Sequence, residues 1–187
     1  MENKYKYGLS RCAIAIISEP LGVLTYATPI AIPGGVNLTS SPKGDFEAFE
    51  ADNTDYVVID KNEGYEIELE IVDIPEAVEE AILILTEDSK KVGFESAGVT
   101  VPRFALLGQI NGDAYNRRFT YFDCVLMARP EQSTKTSRAK EPQTTKLKIK
   151  ARPREADNYV RAYTKSDTDA TVYANWFTAV QDYVSGT

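Results

Sequence analysis

Residues 65–71 read YEIELEI, with Glu66, Glu68 and Glu70 alternating against Tyr65, Ile67, Leu69 and Ile71. Carboxylates this close can repel an anion, pair with bases on a neighbouring strand or simply meet water. A counterpart exists at residues 146–152, where Lys146, Lys148 and Lys150 alternate with Leu147, Ile149 and Ala151. Much familiar chemistry is missing. With no histidine in 187 residues, histidine triads, HExxH zinc sites and Cys–His nucleophile pairs cannot be built. Cys12 and Cys124 stand far apart and read as reduced, apolar strand residues. Gly34-Gly35 after Pro33 reads as a turn and not a phosphate loop. Ser166-Asp167-Thr168-Asp169 lacks the glycine and terminal glutamate of a calcium loop. No catalytic, cofactor or metal residue is therefore expected.

The period of two assigns both charged stretches to β-strands, apolar on one face and charged on the other. Glutamates at i and i+2 then stand about 7 Å apart. Charge is also segregated on a larger scale. Residues 44–88 hold sixteen acidic residues and one basic, whereas residues 129–165 hold eleven basic and four acidic. A net charge of −7 thus conceals two blocks that can meet as complementary surfaces, within a copy or between copies.

Other segments supply the frame. Strands are expected at 5–17, 24–32, 36–41, 46–51, 56–59, 65–72, 104–110, 117–128 and 146–152. Asn111-Gly112 marks a hairpin turn. Asp73-Ile74-Pro75-Glu76 reads as a helix start, and Val78, Ala81, Ile82 and Leu85 form one apolar stripe, so a helix is expected over about 75–86. Val172, Trp176, Phe177 and Val180 suggest a short closing helix, or a strand. Polar stretches at about 40–62 and 130–143 are expected as mobile loops that order on assembly. One domain over 1–187 follows, mainly β: an antiparallel sandwich or barrel with one flanking helix. The early apolar run at 12–17 is too short for a membrane span and lacks a cleavage pattern. Synthesis in a cytoplasm, with no membrane partner, is expected.

The order of these pieces resembles the major tail proteins, or tail-tube proteins, of long-tailed phages and prophages of Gram-positive bacteria. The resemblance is carried by KYGLS (6–10), TYATPIAIPGGVNL (25–38), FEADN (49–53), NEGYEIELEIVDIPE (62–76), FALL (104–107), CVLMARP (124–130), EPQTTKLKIKARPR (141–154) and NWFTAV (175–180). Each piece alone is weak; their order and spacing are specific. The resemblance implies a β-sandwich with a flanking helix, six copies in a ring, and rings stacked into a hollow virion tube. Double-stranded DNA would pass through without specific binding. A tape-measure protein would lie inside, and terminator and baseplate proteins at the ends. No enzyme activity and no cofactor are implied. The strand at Glu66-Ile67-Glu68 departs from the family in being more acidic, and the loop at 130–143 is a region the family varies.

Two placements of the glutamates compete with plain solvation. Glu66, Glu68 and Glu70 could line the lumen, where a repelling wall lets DNA slide because it offers no counterion release. Alternatively they could pair with Lys146, Lys148 and Lys150, inside a subunit or between neighbours. The rival function is a monomeric binding module, such as a carbohydrate-binding β-sandwich. It would present tyrosines, with Tyr56, Tyr65, Tyr115, Tyr121 and Tyr159 as candidates.

Overall fold

The computed structural model describes residues 8–20, 23–44, 46–51, 54–60, 62–112, 115–130 and 143–184. The chain runs β1 (Leu9–Ser18), β2 (Thr25–Tyr26), β3 (Ile30–Ile32), β4 (Gly35–Lys43), β5 (Phe46–Ala51), β6 (Thr54–Asp60) and β7 (Gly64–Ile71). After α1 (Glu76–Val78) come β8 (Thr86–Glu87), β9 (Gly93–Phe94), β10 (Phe104–Ile110), β11 (Arg118–Leu126), β12 (Thr145–Arg152), β13 (Arg161–Tyr163) and α2 (Ala170–Ala174). The fold is mainly β and antiparallel. Among the described residues no helix is long and apolar enough to cross a membrane.

One nine-stranded sheet carries the body, in the order β2-β1-β10-β11-β12-β7-β4, with β3 on β1 and β13 on β11. It curls back on itself. β3 and β4 are two halves of one bent strand; the first half pairs with β1 and the second with β7. The corner is Pro33-Gly34. Gly34 has φ +79, and a Cβ there would come within 3.2 Å of Val72 Cβ. The Gly34 carbonyl accepts the Val72 N–H at 2.9 Å, so the corner is tied to the end of β7. On the opposite side β12 pairs with Asp123–Leu126 of β11 and β13 with Phe119–Tyr121.

Packing differs around this curl. β7 and β12 bury one face only: Ile67, Leu69, Ile71, Leu147, Ile149 and Ala151 enter the interior cluster with Ile14, Phe104 and Leu106. β1 and β10 are buried on both faces, which is why CAIAII and FALL carry no polar alternation. Their second face carries Ala13, Ala15, Ala105 and Leu107, and Trp176 packs against it. The Trp176 indole N–H donates to the Phe119 carbonyl at 3.3 Å.

Several expectations are corrected. The helix expected over 75–86 is α-helical only at Glu76–Val78, continues as a π turn over Glu79–Leu83, and stops at Ile84 in the left-handed region (φ 53). The wider turn brings Val78, Ile82 and Leu83 onto one buried face, which 3.6-residue spacing does not do. Asp73 does not cap it; its carboxylate accepts only the Ile74 N–H, and Pro75 holds the cap position without a side-chain bond. Arg129 Nη1 donates to the terminal Leu83 carbonyl at 2.8 Å. The closing helix is shorter and earlier than its apolar spacing suggests. Asp169 caps it by accepting the N–H groups of Thr171 and Val172, and Arg118 takes the Tyr173 carbonyl that a further turn would need. The strand expected at 24–32 is split into β2 and β3. Within the stretch 40–62 the strands expected at 46–51 and 56–59 are present as β5 and β6, a hairpin that forms its own two-stranded sheet, and β4 runs on to Lys43. Most of the other expected loop, residues 131–142, lies outside the described residues.

Candidate functional site: a charged ladder on the outer sheet face

The outer face of β4, β7 and β12 gathers every sequence-predicted site residue. The β7–β12 register sets Glu66 opposite Lys150, Glu68 opposite Lys148 and Glu70 opposite Lys146. The apolar positions alternate with them, Ile67 opposite Ile149 and Leu69 opposite Leu147, so burial of one face fixes the pairing of the other. The glutamates and lysines therefore pair between strands of a single subunit. Closest contacts run diagonally: Lys146 Nζ lies 2.7 Å from Glu68 Oε1. Thr144 Oγ1 donates to Glu70 Oε1 at 2.5 Å. From β4, Lys43 Nζ reaches Glu66 Oε2 at 3.2 Å.

Lys43 adds a fourth cation to the ladder, so four lysines face three glutamates. The hydrogen bond from Lys146 holds the Glu68 carboxyl below its ordinary range, and Glu68 in turn raises Lys146. Both groups are solvent-exposed, so the contribution is small and salt-sensitive. Its sign is defined. The depressed Glu68 stabilises the fold at neutral pH and loses that effect as pH falls through its folded value, below the ordinary 4.5. The raised Lys146 loses its share as pH rises through a folded value above 10.5. Glu68→Gln is expected to lower Tm slightly at pH 7 and to melt like the parent once pH is below the folded Glu68 value. Paired thermal melts across pH check this.

A second charged group closes one end of the ladder. Asp123 is fully buried. Its carboxylate accepts from Arg103 Nε and Nη2 at 2.9 and 2.7 Å and from Arg152 Nε at 3.0 Å. Arg103 Nη1 also reaches Glu19 at 2.6 Å. No spacing in the sequence brings these four residues together. A lone aspartate inside FTYFDCVL was the available signal, because a charge in a buried strand needs a partner.

Chemistry elsewhere is sparse. Among the described residues, Glu76, Glu80 and Glu87 bring carboxylate oxygens together, but Lys91 Nζ already binds Glu87 at 2.6 Å. Both cysteines are buried and free; burial pushes the Cys12 thiol up to about 11 and raises Cys124 as well. Such thiols are poor nucleophiles. Of the tyrosines that could serve a sugar platform, Tyr121 is buried in the interior and Tyr65, partly buried, packs edge-on against it at 5.5 Å, whereas Tyr115 and Tyr159 are exposed.

Comparison with protein-family models and with curated proteins returns no match.

Proposed function

We propose that this chain is the major tail protein of a long-tailed phage or prophage: a structural virion protein whose copies close into hexameric rings that stack as the tail tube. The ordered resemblance from residue 6 to residue 180 supports this reading, and one structural observation carries it further. The β5–β6 hairpin forms a sheet apart from the body. A lone two-stranded hairpin is marginal in water, so it suits a chain whose neighbours complete it. The DNA conduit, the internal tape-measure protein and the terminator and baseplate at the ends belong to the same proposal, as does a virion-tail location.

Within this reading Glu66, Glu68 and Glu70 line the channel together with Lys146, Lys148 and Lys150. The lysines change what that wall does. Three glutamates alone would repel DNA, whereas alternating charges cancel one another beyond about a strand spacing, roughly 5 Å. A cross-paired wall gives DNA little net charge to neutralise and few counterions to release. Sliding is then favoured by weak interaction and not by repulsion.

Sedimentation velocity across a wide concentration range tests the assembly. A step from monomer to a sixfold species, then larger particles, is expected; a monomer throughout opposes the reading. The ladder is tested by replacing Glu66, Glu68 and Glu70 with lysine, which leaves seven lysines on one face. Tm is expected to fall by a few degrees. Tubes that do form should bind DNA in a salt-dependent manner, and changing Lys146, Lys148 and Lys150 to glutamate should reverse both effects. Tubes of the triple variant that ignore DNA would place the ladder away from the channel.

A further inference from the structure

Between β4 and β13, which do not pair, lies a cleft of about 440 Å³. Leu38 and Ser40 line it from β4, Phe119 and Tyr121 from β11, and Arg161 and Tyr163 from β13. Thr39 and Ser41 alternate with the first two and border the Glu66–Glu68 face instead, so cleft and ladder occupy opposite sides of β4. We propose that this cleft binds one nucleoside monophosphate, its base stacked among the aromatic rings and its phosphate held by arginine. The site is complete within one copy, so it stands apart from the tail-tube reading.

The floor is aromatic and carries a polar handle. Phe119 and Tyr121 are buried and meet edge to face at 5.8 Å. Gly108 pairs with Phe119 across β10 and β11, and an added Cβ there would come within 2.4 Å of Phe119 Cζ. The missing side chain is what seats the ring. The Ser40 and Tyr121 hydroxyls hydrogen-bond to each other at 2.7 Å. That contact uses one of the two O–H groups, so a second donor and spare lone pairs remain for a ligand. A bare hydrocarbon would leave them unpaired, whereas the ring nitrogens and exocyclic groups of a base can meet them.

Charge narrows the ligand to an anion. The lining holds two guanidinium groups, Arg117 and Arg161, and no carboxylate. They stand over the Tyr163 ring at 5.4 and 5.9 Å, and Arg161 also stands over Tyr65 at 4.7 Å. Arg161 is exposed, and no carboxylate among the described residues pairs with it. Its contacts are to aromatic faces, which leave N–H donors for an oxyanion. Two guanidinium groups suit a phosphate dianion better than a singly charged carboxylate. Tyr163 is 47% exposed, and bases stack on tyrosine rings and guanidinium planes alike. Inorganic phosphate would meet only the arginines and a nucleoside only the floor; a nucleotide meets both.

Equilibrium dialysis of the full-length chain against deoxyadenosine monophosphate tests the site, with deoxyadenosine and inorganic phosphate as partial probes. One nucleotide per chain is expected, half-saturating at about 1 mM or below, with each partial probe at least about tenfold weaker. Arg161→Gln and Tyr163→Leu are each expected to weaken the nucleotide by about tenfold or more, with circular dichroism melts close to the parent's. Arg161→Lys keeps the charge but loses the planar fork, so it should fall between parent and Arg161→Gln. Lys90→Gln removes an exposed charge between β8 and β9 and should bind as the parent does. No saturable binding below about 10 mM overturns the site. So does a partial probe that binds as tightly as the nucleotide, or a loss in Lys90→Gln equal to that in Arg161→Gln.

Discussion

Gly64→Ala is expected to cost about 3 kcal/mol or more and to lower Tm by roughly 10 °C. Gly64 opens β7 with φ +112, a region that L side chains rarely occupy. An added Cβ would lie 2.0 Å from the Ala151 carbonyl oxygen and 3.0 Å from its carbon. That obstacle is backbone, held by the β7–β12 ladder in which Ala151 pairs with Tyr65, so no side-chain rotation relieves it. Either β7 withdraws from β12 or the register shifts, and both break the Glu–Lys face. Gly98→Ala is the matched control. Gly98 also has positive φ (+85), but nothing lies within 4 Å of its added Cβ, so only backbone strain of about 1–2 kcal/mol is expected. Urea denaturation of the two variants separates the terms. Equal losses would mean that the clash contributes nothing and that β7 and β12 are less tightly joined than described.

Asp123→Ala is expected to cost about 3–5 kcal/mol. The carboxylate is fully buried and gathers Arg103 from the segment before β10 and Arg152 from the end of β12. Removing it leaves two guanidinium groups facing each other with no anion between them. The penalty is mostly that of the stranded charges and less the lost attraction. Glu19, the other partner of Arg103, is much more exposed, so Glu19→Ala should cost no more than about 1 kcal/mol. A double variant lacking Asp123 and Arg103 should recover part of the loss, because fewer charges remain unmatched. A loss near 1 kcal/mol for Asp123→Ala, with no recovery in the double variant, would contradict this account. Since Asp123 ties β11 to β12, its removal should also impair assembly if the ladder face serves the tube.

How far the sequence anticipates these features depends on how local their cause is. The β7 and β12 strands follow from two-residue alternation, and their charge patterns anticipate which residues meet. β10 and β11 are legible because their apolar runs are bounded by polar turns. The helix is misread because Val78, Ala81, Ile82 and Leu85 satisfy an α-helical stripe, while burial of Leu83 and the left-handed Ile84 require the wider π turn. β13 is three residues long, too short for any period to register. The Asp123 cluster draws on positions 19, 103, 123 and 152, and only the folded sheet brings them together. The cleft between Leu38 and Ser40 of β4 and Tyr163 of β13 is likewise a property of the folded sheet: no local pattern shows that β4 and β13 do not pair.

Assembly is the claim on which the functional account depends. Negative-stain electron microscopy of concentrated purified protein, beside light scattering of the same preparation on dilution, tests it most directly. Sixfold rings or hollow tubes are expected at high concentration. A monodisperse monomer at every concentration, with no ring or tube on the grid, would contradict it.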